Sequence, residues 1–129
     1  MLNHALQAVS VSSARILIVE DEAMLAYVLE ELLIHDGFTI AGVAGRLEAA
    51  LDIIATGNCD AAILDANLAG TSSAPAATAL AARGVPFIVV SGYSPDQLQE
   101  VAFEGAIHLQ KPCDINALTR ALRGLLKPR

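Results

Sequence analysis

Asp65 closes an apolar run, Ala61 to Leu64, within the stretch CDAAILDANLAG (59–70). A carboxylate in that position is either a turn residue that follows a strand or a charge put to use. Three other apolar runs end in comparable groups: Glu20-Asp21-Glu22 after RILIV, Ser91 after PFIVV, and Lys111-Pro112 after AIHLQ. Taken singly each has a plain structural reading. Asp21 or Glu22 can charge the first turn of a helix, Ser91 before Gly92 can open a turn, and Lys111 can be a solvated surface lysine. Brought together they form a set with a definite chemistry. Carboxylates held side by side repel one another unless a cation sits among them, and oxygen donors at this density suit a hard ion such as Mg²⁺ (or Mn²⁺). A carboxylate beside such an ion can attack phosphorus. An ammonium about 4 Å away, at an effective dielectric near 20, adds attraction of about 4 kcal/mol before desolvation. The Ser91 hydroxyl can hydrogen-bond a phosphoryl oxygen once one is present.

The elements that would have to bring these residues together are legible as an alternation of apolar runs and helical patterns. Strands are expected at 15–20, 38–44, 60–65, 86–91 and 106–110, the last weaker than the others. Helices are expected at 22–37, 46–57, 75–84, 94–105 and 114–126. In the first of these, Leu25, Val28, Leu29, Leu32 and Leu33 repeat at helical spacing and Gly37 ends the pattern. The helix at 94–105 contains Ser94-Pro95 and is expected to be short. Strict alternation predicts an α/β fold, a doubly wound five-stranded parallel sheet of flavodoxin-like order 2-1-3-4-5 with helices on both faces. In such sheets the carboxyl ends of the strands converge at a switch point between the first and third strands. Glu20 and Lys111 would meet there although 91 residues separate them. Residues 1–13 fall outside the pattern and read as a tail or an extra helix; residues 14–129 read as one domain.

Composition limits the function classes. The chain has 129 residues, 54% of them hydrophobic and 17% charged, which suits a globular domain with a sizeable core. A formal net charge of −6 argues against nucleic-acid binding. Five of the eight basic residues lie in the last nineteen positions, most simply as a solvated helix face near its own C-terminus. No apolar run approaches the roughly 18 residues of a membrane span, and no signal peptide is apparent. Cys59 and Cys113 have no metal-ligand spacing and read as reduced thiols, so a cytoplasmic location is expected. His4 and His35 read as surface residues.

Taken in order, ILIVEDE, AILDANLAG, VVSGY and QKP resemble the receiver domain of two-component response regulators, over about residues 14 to 128. The resemblance implies a phosphorylation-controlled signalling module. In it Glu20 and Asp21 are the metal-binding acidic pair, Asp65 is the phosphoacceptor, and Asn67 offers a backbone carbonyl to the metal. Ser91 is the switch hydroxyl and Lys111 the phosphate-binding lysine, with a cis bond to Pro112. The implied phosphodonor is a sensor histidine kinase or a histidine phosphotransfer protein, and the implied assembly a monomer or weak dimer. With no output domain read after Arg129, the effect is expected through a protein target or as a phosphate sink. Many receivers carry Tyr or Phe where this chain has His108; Tyr93 supplies an aromatic ring from another position.

Two other classes compete. A haloacid-dehalogenase-like phosphohydrolase also uses an aspartyl nucleophile, but within a DxD pair after the first strand. Here the third strand carries DAN, and Asn67 lacks the second carboxylate. A flavodoxin-like binding module would need aromatic residues for a flavin; Trp is absent, and the acidic cluster would repel the phosphate of FMN.

Overall fold

The computed structural model describes residues 13–93, 98 and 100–127; the expected tail or extra helix at 1–13 lies almost entirely outside them. Five parallel strands form the sheet: β1 (Arg15–Val19), β2 (Thr39–Ala44), β3 (Ala61–Asp65), β4 (Phe87–Ser91) and β5 (Ile107–Gln110). Their order is β2-β1-β3-β4-β5, the doubly wound arrangement expected from the alternation. Four helices connect or follow them: α1 (Ala23–His35), α2 (Leu47–Ala55), α3 (Ala74–Ala82) and α4 (Ile115–Leu126). A two-stranded antiparallel hairpin, Asn67–Leu68 with Thr71–Ser72, stands between β3 and α3.

Period-2 alternation along the strands divides the core into two layers. Leu17, Val19, Ala62, Leu64 and Val89 face α2 and α3, where Ala50, Ile54, Ala76, Ala77 and Leu80 complete one layer. Ile16, Ile18, Ala61, Ile63, Ile88 and Val90 face α1 and α4, which supply Ala26, Leu33, Leu118 and Leu122. The first layer is rich in alanine on its helical side; the second is built from larger side chains. Each fully buried Leu or Ile contributes about 1.5–3 kcal/mol of transfer free energy, and this holds the strands in register. Every residue of β3 is buried, as its continuous apolar run requires of a central strand.

Helix boundaries follow local chemistry. Gly37, at φ 99°, takes the left-handed conformation that ends α1. Asp114 caps α4, its side chain accepting from the Asn116 amide at 3.1 Å. Between β4 and β5 the expected helix at 94–105 is not observed among the described residues. Residues 94–97 and 99 lie outside the described residues, and the described part holds only a 3₁₀ turn, Val101–Phe103. The apolar residues Leu98, Val101 and Ala102 have helical spacing, but Val101 is 77% exposed while Phe103 is buried. Leu98, Ala102 and Phe103 pack against the core here, while Val101 turns to solvent.

At the amino end of the sheet Asp60, one residue before β3, closes against Arg15 at the start of β1. Arg15 Nη2 lies 3.2 Å from Asp60 Oδ1, its Nε donates to Oδ2 at 3.2 Å, and its backbone N–H donates to Oδ2 at 2.8 Å. Both side chains remain about 40% exposed.

Candidate functional site

The sheet order brings the four expected strand ends to one place. Glu20 directly follows β1 and Asp65 is the last residue of β3, with 4% and 8% of their surfaces exposed. Ser91 is the last residue of β4, and Lys111 directly follows β5, where its backbone N–H donates to the Ser91 carbonyl at 2.7 Å. The Lys111–Pro112 peptide bond is cis, as the resemblance implied.

Lys111 joins the two buried carboxylates. Its Nζ lies 2.9 Å from Asp65 Oδ2 and 3.1 Å from Glu20 Oε1. The remaining carboxylate oxygens are held by backbone donors. Glu20 Oε2 accepts from the Glu22 amide at 3.1 Å, and Asp65 Oδ1 from the Asn67 amide at 3.1 Å. Such charge-assisted bonds orient both groups without neutralising them. One ammonium therefore serves two carboxylates in a buried site. Burial raises the Glu20 pKa; the Glu22 amide and Lys111 oppose the rise, the nearby Asp65 adds to it, and the group is pushed up to about 7. For Lys111, burial acts downward, but Asp65 and Glu20 outweigh it and hold the ammonium above its ordinary value.

Asp21 is exposed at the rim, and carboxylate oxygens of Glu20, Asp21 and Asp65 all lie within 4.8 Å of one another. This all-oxygen donor set, with an excess of negative charge, suits a hard divalent cation, so the group could hold a metal ion. Asn67 is two residues beyond Asp65; its side-chain Oδ1 accepts from the Gly70 amide at 2.6 Å and closes the hairpin turn. Ala69, within that turn, takes φ 52°. Ser91 Oγ accepts from the Tyr93 amide at 2.9 Å. Tyr93 itself is 55% exposed, whereas His108 lies edge-on to the buried Phe103 with ring centroids 6.5 Å apart.

Two parts of the site were not foreseen. The Glu22 backbone amide as a Glu20 partner carries no side-chain signal. The Asn67 side chain as a turn-former could have been read from Asn67-Leu-Ala-Gly70, a spacing suited to an Asn-closed turn.

A family model described as the response regulator receiver domain matches residues 16–123. The chain belongs to the receiver-domain family.

Among curated relatives, the transcriptional regulatory protein PdtaR of Mycobacterium tuberculosis is 32% identical over 111 residues. The match covers 84% of this chain but 54% of PdtaR, so the chain spans about half the length of the curated relatives it matches. Among solved structures, SdrG from Sphingomonas melonis Fr1 is 40% identical with a TM-score of 0.75, covering 89% of this chain and 98% of SdrG. The receiver domain of the Erythrobacter litoralis PhyR response regulator is 26% identical with a TM-score of 0.73, covering 88% and 90%. Receiver domains are phosphorylation-controlled signalling modules, and the chain carries such a domain over residues 16–123. The haloacid-dehalogenase alternative finds no support in the family or in these neighbours. Among the described residues no helix is long and apolar enough to cross a membrane.

Proposed function

We propose that this receiver takes a phosphoryl group onto Asp65 from a phosphohistidine of a sensor histidine kinase or a histidine phosphotransfer protein. The observation that carries the reading is the meeting of Lys111 Nζ with Asp65 Oδ2 at 2.9 Å beside two further carboxylates. An Asp65 carboxylate oxygen attacks phosphorus, the P–N bond to the donor imidazole breaks, and the imidazole leaves with the electron pair and is protonated. Glu20, Asp21, Asp65 and the Asn67 backbone carbonyl would hold Mg²⁺ (or Mn²⁺), which supplies neutralisation of the phosphoryl oxygens. Lys111 leaves its carboxylate partners in part to bind a phosphoryl oxygen, which adds a second positive charge at the same centre. The Ser91 hydroxyl turns from the Tyr93 amide to that oxygen. Loss of the group is hydrolysis of the acyl phosphate by water at phosphorus, which regenerates the Asp65 carboxylate.

Output runs through a protein target that distinguishes the two states, or through draining phosphoryl groups from a shared donor. Such a partnership is cytoplasmic, where the free thiols of Cys59 and Cys113 stay reduced. The test is incubation with acetyl phosphate and Mg²⁺ followed by intact-mass measurement. One phosphoryl adduct is expected on the wild type and none on Asp65→Asn or in EDTA. An equal adduct on both proteins would remove Asp65 from the role.

A further inference from the structure

A groove of about 400 Å³ runs between α1 and α4. Val28 and Leu32 form its α1 rim, one helical turn apart and 41% and 38% exposed. Beside them Leu25 and Leu29 of α1 and Ile115 of α4 are half-buried, so each still presents apolar surface. At one end Arg123 of α4 donates to Asp36, just past α1, at 2.8 Å and fixes the spacing of the two helices. An apolar groove held open between two helices has the shape that accepts the apolar face of a third.

The chain itself carries a segment with such a face. Residues 1–12, MLNHALQAVSVS, precede the described part. At helical spacing Leu2, Ala5, Leu6 and Val9 fall on one arc, and Asn3, Gln7 and Ser10 on another. A helix this short is marginal in water alone and needs a surface against its stripe. The segment also joins the domain beside the groove. Ala14 shares a core layer with Leu33 of α1 and Leu122 of α4, and Ser13 lies near Leu125 and Leu126 at the end of α4. The 13 residues of α1 make a rod of about 20 Å. Residues 2–9 as a helix would span about 12 Å, and the link from 10 to 12 adds about 10 Å, so the segment reaches along the whole groove. It has no acidic residue to set against Glu22, Glu30 and Glu31 of this face.

We propose that residues 2–9 dock as a helix in the groove between α1 and α4, with Leu2 and Leu6 toward Val28 and Val9 toward Leu32. Tyr27 and Ile34, 58% and 49% exposed, stand on the other flank of α1 and stay outside the contact. Docked there, the segment is a cover: a macromolecule that approaches Asp65 across α1 has to displace it first. The docking does not rest on Asp65 being the phosphoacceptor.

The test is methyl NOE spectroscopy and amide hydrogen exchange on the full chain, at two concentrations tenfold apart. NOEs are expected from the Leu2, Leu6 and Val9 methyls to those of Val28 and Leu32, unchanged on dilution. Amides of residues 2–9 are expected to exchange at least tenfold more slowly than in Leu6→Glu, whose Ile16 and Leu118 methyls report that the domain stays folded. Val28→Glu, a change at the exposed rim, is expected to remove the same protection from the other side of the contact. Equal exchange in wild type and Leu6→Glu, with no NOE to Val28 or Leu32, would overturn the proposal. So would NOEs directed to Tyr27 and Ile34 instead, or NOEs lost on dilution, which would assign the contact to a second copy of the chain.

Discussion

Two aspartates bracket the same strand, Asp60 just before β3 and Asp65 at its last residue, and their surroundings are opposites. Asp60 meets the Arg15 guanidinium through both oxygens and also accepts the Arg15 backbone amide, all at an exposed rim. Asp65 is buried, takes one bond from Lys111 and one from the Asn67 amide, and shares its ammonium with Glu20. The amino-end pair is balanced in charge, one guanidinium to one carboxylate. The carboxyl-end group carries more negative than positive charge and keeps acceptor capacity in reserve. Charge balance separates a fastening from a site here, although residue types and distances are nearly the same.

The largest effect expected from breaking that contrast comes from Lys111→Met. It leaves Glu20 and Asp65 buried side by side with no cation and is expected to lower stability by about 3 kcal/mol in metal-free buffer, measured by urea unfolding. Mg²⁺ should restore much of the loss. Glu20→Gln acts the other way: with one buried charge removed, the metal-free protein is expected to gain about 1 kcal/mol, while its stabilisation by Mg²⁺ falls. A destabilised Glu20→Gln protein would show that the excess charge is not a cost. Asp60→Asn is expected to cost under about 1 kcal/mol, as an exposed pair should. A loss as large as that of Lys111→Met would erase the distinction between the two ends.

A further contrast is in pH, where the two ends carry opposite signs. Asp60 is held below its ordinary value, first by its hydrogen bond from Arg15. Its contribution is therefore present above the ordinary aspartate range and lost as pH falls through the folded value. Glu20 is raised to about 7 in the metal-free protein, chiefly by burial. The folded state then binds more protons than the unfolded one, so stability declines as pH rises from the ordinary glutamate range toward 7. Thermal melts in EDTA should show a loss from pH 5 to 7.5 that Glu20→Gln removes, and a separate loss below pH 4 that Asp60→Asn reduces.

Much of this contrast could be read from residue order. Alternating apolar runs and helical stripes fix a parallel sheet, and the sheet places Glu20, Asp65, Ser91 and Lys111 at one end. Asp60 and Asp65 read alike as charges flanking a run, because the difference between them lies in burial and in what Arg15 and Lys111 can reach. The amides of Glu22 and Asn67 were invisible for a simpler reason: every residue but proline has one, and only the fold aims it. The 3₁₀ turn at Val101–Phe103 was hidden by a spacing that mimics a helix, since sequence does not say that Val101 faces solvent.

The unequal make-up of the two core layers has a consequence for how the protein tolerates sequence change. Between the sheet and helices α2 and α3, contacts are made by Ala50, Ala76 and Ala77, each with no exposed surface. At these three alanines truncation has almost nothing to remove and added methylenes meet a close-packed layer, although Ile54 and Leu80 beside them can still be cut back. Between the sheet and helices α1 and α4 the opposite holds, because Leu33, Leu118 and Leu122 can each be cut back to leave a void. A library of substitutions should therefore divide by position: enlargement is the damaging direction at the buried alanines of α2 and α3, and shortening at the buried Leu and Ile residues of both layers.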